Sequence, residues 1–115
     1  TIQNQSSNYL VFTSDATNGG YIQRIRFAPV PFNVTVASVV KVWINNGNTS
    51  TNPANTTYYD NLALPAATAS SNAATPSYDL PMNFALPAGY KIFCTLGTTQ
   101  ASSTGWIATA IAGKY

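Results

Sequence analysis

Three aspartates (Asp15, Asp60 and Asp79) are the only side chains in this 115-residue chain that could supply a carboxylate base or hold a hard cation, and Cys94 is its one thiol. The chain has no histidine, and by count no glutamate. Without His there is no Ser-His-Asp or Cys-His device, and the commonest zinc ligand is missing. The aspartates lie far apart in sequence, with no spacing that makes a paired site. An enzymatic reading, with Asp60 or Asp79 as a base, therefore has no partner residues, and no catalytic, cofactor or metal residue is expected. Cys94 falls in Tyr90-Lys91-Ile92-Phe93-Cys94-Thr95-Leu96. Alternation there puts Tyr90, Ile92, Cys94 and Leu96 on one strand face, so the thiol reads as a small core hydrophobe. A single cysteine also excludes an internal disulfide and leaves the redox compartment open.

Binding chemistry has more candidates. Trp43 and Phe93 fall on the strand faces opposite their Val/Ile and Ile/Cys/Leu neighbours. Such two-sided apolar strands are either covered or turned to a partner. Arg24 and Arg26 share the polar face of their strand and can reach carboxylates on another chain. With Tyr58 they complete the expected protein-interface set: Arg24, Arg26, Trp43, Tyr58 and Phe93. Trp, Tyr and Arg are the usual anchors of such surfaces. The Asn/Thr-rich stretch from Asn46 to Asn55 offers amides and hydroxyls to a glycan, with Trp43, Tyr58 and Tyr59 near in sequence as an aromatic platform. Its plainer reading is a solvated loop. N-x-[ST] sequons at Asn4, Asn33, Asn48 and Asn55 are little more than chance supplies in a chain with so much Asn, Ser and Thr.

Composition sets the frame for these residues. Only 7% of residues are charged, against about 25% in an average soluble protein. Five basic residues do not make a phosphate-tracking stripe, so nucleic acid is not expected as a partner. The net charge of +2 is too small to imply anionic partners. No apolar run approaches the roughly 20 residues of a membrane helix, and no basic start followed by an apolar run marks a leader. A surface this poor in charge is weakly protected from association, which points to a permanently assembled subunit.

No segment has the pattern of an amphipathic helix. Extended runs recur instead at Asn8 to Thr13, Tyr21 to Ala28, Asn33 to Ala37, Ser38 to Asn45, Thr57 to Leu64, Ser77 to Leu86, Tyr90 to Leu96 and Trp106 to Ala112. In the second run Tyr21, Gln23, Ile25 and Phe27 are expected on one face, with Ile22, Arg24 and Arg26 on the other. In the fourth, Val40, Val42 and Ile44 oppose Val39, Lys41 and Trp43. Turn signals stand at Asn18-Gly19-Gly20, Asn45-Asn46-Gly47-Asn48 and Pro87-Ala88-Gly89. Ala66 to Pro76 reads as a loop or loose crossover, and Pro81 confines part of its strand to an edge or bulge. Seven or eight strands joined by long loops predict a single-domain antiparallel β-sandwich, all-β and jelly-roll-like. It should span residues 8–115, with residues 1–7 as a flexible N-terminal arm.

An ordered series of segments also resembles a known group. Gly20-Tyr21-Ile22-Gln23-Arg24-Ile25-Arg26-Phe27 and Val39-Val40-Lys41-Val42-Trp43-Ile44-Asn45-Asn46-Gly47 form one half. Leu80-Pro81-Met82-Asn83-Phe84-Ala85-Leu86-Pro87-Ala88-Gly89-Tyr90-Lys91-Ile92 and the ending from Gly105-Trp106-Ile107 to Gly113-Lys114-Tyr115 form the other. The series resembles small virion proteins of tailed bacteriophages. The resemblance implies a capsid decoration (cement) protein, commonly a homotrimer, on the outer surface of the virion head with the major capsid protein as partner. The competing expectation is a tail-associated receptor- or glycan-binding module.

Overall fold

In the computed structural model, residues 2, 7–30, 34–50, 52–68, 72, 74, 76–100 and 104–114 are described. They form strands β1 (Tyr9–Thr13), β2 (Gly20–Pro29), β3 (Val34–Thr35), β4 (Ser38–Asn45), β5 (Thr56–Leu64), β6 (Ala67–Thr68), β7 (Tyr78–Leu86), β8 (Lys91–Leu96) and β9 (Trp106–Lys114). Seven of these have five residues or more, and no helix occurs among the described residues. β1-β8-β4-β5 make a four-stranded antiparallel sheet and β7-β2-β9 a three-stranded one. The two-residue β3 and β6 pair with each other. They continue the β4–β5 ladder past a break at Pro65, a residue with no N–H to give it. The short strand Ala67–Thr68 thus falls within the stretch from Ala66 to Pro76 expected as a loop or loose crossover. Asn33 and residues 1 and 3–6 of the expected arm lie outside the described residues. Ile2 is buried and exchanges hydrogen bonds with Trp106 (N to O 2.6 and 2.9 Å).

The pairing is nested. β1 pairs with β8, β2 with β7, and β3–β4 with β5–β6, as if one long hairpin had been rolled on itself. The connections β1–β2, β7–β8 and β8–β9 each carry the chain from one sheet to the other. This is the jelly-roll-like sandwich, with β9 added along the free side of β2. Between the sheets lie Ile22, Ile25 and Phe27 of β2, Val40 and Val42 of β4, Leu80, Met82 and Leu86 of β7, Ile92, Cys94 and Leu96 of β8, and Trp106. The alternation along β4 and β8 is the ordinary pleat.

β2 departs from its expected facing. The register shifts between Ile22 and Arg24 against both neighbours. One irregularity of this kind reverses the alternation beyond it. Ile22 and Ile25 are therefore both fully buried and Tyr21 and Gln23 are exposed, correcting the placement of Ile22 beside the arginines. Asn83, on β7 within the same irregularity, holds φ of 55°. Asn tolerates that left-handed conformation better than most residues. Pro81 sits there too, on an edge strand as expected. The turn into β2 depends on Gly19, at φ of 76°, where a Cβ would stand 2.5 Å from the Leu86 carbonyl oxygen.

Candidate functional site

The five expected interface residues do not form one surface. Arg24 and Arg26 lie on the outer face of β7-β2-β9, whereas Trp43, Tyr58 and Phe93 lie on the outer face of β1-β8-β4-β5. The two faces are separated by the thickness of the core, and sheets pack about 10 Å apart. A flat partner meets one set or the other.

On the first face the charges answer one another. Arg26 is directly opposite Asp79 and donates from Nε to Oδ1 at 3.0 Å and from Nη2 to Oδ2 at 3.3 Å. This fork-on-carboxylate geometry suits a guanidinium. The hydrogen bond holds the Asp79 carboxyl below its ordinary value and the Arg26 guanidinium above its own, against a smaller opposing effect of burial. Arg24 Nε is 3.7 Å from Asp79 Oδ2, inside ion-pair range and too long for a hydrogen bond. That N–H is buried without a partner. The Tyr21 hydroxyl reaches Asn83 Oδ1 at 3.4 Å.

The second face is built by register. Leu10 of β1 stands opposite Phe93 of β8, Phe93 opposite Trp43 of β4, and Trp43 opposite Tyr58 of β5. One apolar row thus crosses all four strands, about 14 Å at the usual strand spacing. Its ends are open, with Leu10 54% and Tyr58 44% exposed. The Trp43 and Tyr58 rings meet edge to face, centroids 5.3 Å apart. Trp43 Nε1 donates to Thr95 Oγ1 at 3.1 Å, which fixes the indole. Tyr59 does not share this face. A register shift between Val42 and Trp43 sends its ring toward the core, 5.2 Å from Phe84.

A cleft of about 250 Å³ opens beside the row, lined by Asn8, Trp43, Pro53, Thr56, Phe93 and Thr95. Pro53 of the 46–55 loop forms part of its wall, and the described residues of that exposed loop are tied down by their own side chains. Successive side chains cap the backbone two residues on: Asn45 Oδ1 accepts from Gly47 N, Asn46 from Asn48, Asn48 from Ser50, Ser50 Oγ from Asn52, and Asn52 from Ala54. These are Asx- and Ser-turns in series. Buried Asn45 also donates from Nδ2 to the Ser50 carbonyl and Thr56 Oγ1, anchoring the loop to its strand. The loop's amide oxygens are therefore largely spent on its own backbone.

The remaining chemistry is structural. Burial pushes the Cys94 thiol up to about 12, so it stays protonated and inert. Asp15 accepts from the N–H groups of Asn18 and Thr17 and pairs with Lys114 at 3.6 Å. Those backbone bonds hold its carboxyl below the ordinary value. No group of three His, Cys, Asp or Glu able to hold a metal occurs among the described residues.

Leu10 is the residue that sequence reasoning missed. Its signal was an aliphatic side chain in a short strand otherwise flanked by Ser and Asn. Its place in the row depends on pairing with a strand more than eighty residues away. Comparison of the chain with protein-family models, curated proteins and solved structures yields no match.

Proposed function

We propose that the chain is a structural virion protein of the capsid decoration type, seated on a phage head by the outer face of β1-β8-β4-β5. The observation that supports this most is the row Leu10, Phe93, Trp43 and Tyr58, which leaves aliphatic and aromatic surface open across a whole sheet. Contiguous apolar surface of this kind marks a contact site. A fixed indole beside a cleft matches the anchor-and-pocket arrangement of interface hot spots, with the cleft receiving an apolar side chain of the major capsid protein. The resemblance to small phage virion proteins points the same way, and implies a trimer. Stabilisation follows from mass action: a protein that binds the assembled lattice and not its parts favours the lattice. Many copies, each held weakly, add up.

The test is cosedimentation of the purified protein with expanded heads of the phage that carries the gene, made without it. Saturable binding is expected, with a higher melting temperature of the decorated heads. Trp43→Ala and Leu10→Asp should each weaken binding about tenfold or more, as hot-spot truncations do. Arg26→Ala, on the opposite face, should change it less than about twofold. Absence of binding to heads at any concentration sinks the proposal.

A second reading rests on the lining of the cleft. Trp43 and Phe93 with the hydroxyls of Thr56 and Thr95, and no charged group, are the surroundings a monosaccharide ring favours. In a tail-associated protein this is a receptor-glycan site. A glycan array probed with the wild type and Trp43→Ala separates the readings, because a decoration protein gives no Trp43-dependent signal.

A further inference from the structure

The aromatic row is flanked by two cations that make no ion pair among the described residues. Lys41 stands on the same face of β4 two residues from Trp43, opposite Thr95 and Asn61. Lys91 stands on the same face of β8 two residues from Phe93, opposite Asn45 and Thr13. Neither makes an ion pair among the described residues, whereas Arg24, Arg26 and Lys114 all do. None of the three aspartates is ion-paired with either lysine. Asp15 is held in its turn by Lys114, and Asp79 lies on the far sheet. Asp60 is opposite inward-facing Val42 at the β5 edge. The small net charge thus conceals an asymmetry, in which one face carries two lysines that make no ion pair among the described residues. By register the lysines are four residues apart along the strands, about 13 Å, with Trp43 and Phe93 midway between them.

We infer that this face docks a protein segment whose apolar side chain is flanked on both sides by carboxylates. This inference rests on the docking role proposed above and names the chemistry of the partner. In an extended segment, residues i, i+2 and i+4 share one face and span the same distance as the two lysines. An acid–apolar–acid repeat at that spacing lays its central side chain in the cleft and its carboxylates against Lys41 and Lys91. Complementary charge of this sort selects partner and register more than it adds affinity. The apolar row holds the segment, and the lysines decide which segment it is.

The experiment is an NMR titration of the full chain with two capped pentapeptides, Asp-Ser-Leu-Ser-Asp and Lys-Ser-Leu-Ser-Lys. The expected result is that millimolar acidic peptide shifts the Trp43 indole, Phe93 and Thr95 resonances. The basic peptide should bind about fivefold more weakly or worse, from two exposed ion pairs gained or lost. The double variant K41E/K91E should reverse that preference, and K41Q/K91Q should abolish it. Both lysines lie on the surface side of the sheet, so these variants keep the fold; circular dichroism checks it. Equal binding of both peptides, lost with Trp43→Ala, overturns the acidic partner and leaves the docking face standing. If neither peptide moves these resonances the inference falls. If Trp43→Ala also leaves head binding unchanged, the docking role falls with it.

Discussion

The two outer faces of the sandwich differ in where their bonding capacity is spent. On β7-β2-β9 the polar groups serve the protein itself: Arg26 grips Asp79, Arg24 shares the same carboxylate, and Tyr21 reaches Asn83. On β1-β8-β4-β5 an open apolar row runs between two lysines that make no ion pair among the described residues. Arg and Tyr side chains are interface anchors by type, yet here the arginines are occupied at home. Residue type nominates a contact surface. Whether its partners are already present decides it.

The comparison can be broken at its foundation. If the β2 irregularity is what turns the arginines outward, Ile22→Ala and Ile25→Ala must both empty core space. Each should cost about 2–5 kcal/mol in urea unfolding. A near-neutral Ile22→Ala would restore simple alternation and put Ile22 on the arginine face. A smaller effect sharpens the aromatic side. Asn45→Ala removes the anchor of the cleft wall and should cost about 1–3 kcal/mol. Amide exchange should speed up across 46–55 while β7 and β9 stay protected.

The smallest effect belongs to the arginine face. The folded pKa of Asp79 is depressed, so its contribution to stability is present above the unfolded value. It is lost as pH falls through the folded one, that is, below the ordinary value of 3.8. The group is well exposed, so the loss is minor. Asp79→Asn should flatten that part of the acid-unfolding curve and leave peptide binding on the other sheet untouched.

Most strands are legible in the chain because their alternation is strong; Ser38–Asn45 is found with its bounds as expected. The sandwich follows from strand number and loop length. What stays hidden is whatever pairing decides. The shift at Ile22/Arg24 arises between β2 and both of its neighbours, so no local pattern announces it. The alignment of Leu10, Phe93, Trp43 and Tyr58 depends on three registers between strands distant in sequence. The two-sided character of β4 and β8 was visible and placed Trp43 and Phe93 correctly outward. That the arginines lie on the other sheet was not. The 46–55 loop shows a middle case: its Asn-rich composition predicts a loop, and only the structure reveals that the amides stiffen it.

The nested pairing also favours an order of closure. The β4–β5 hairpin closes the shortest gap, and each ladder formed outside it brings the next pair of ends nearer, since closing a loop costs more entropy the longer the loop. The outermost ladder of the nest, β1 on β8, joins residues far apart in the chain, as β2 on β9 also does. A fold dominated by such distant pairings assembles slowly, in milliseconds to seconds. Leu10 therefore joins its row only when the roll closes. The row is complete across the sheet only once β1 has joined β8.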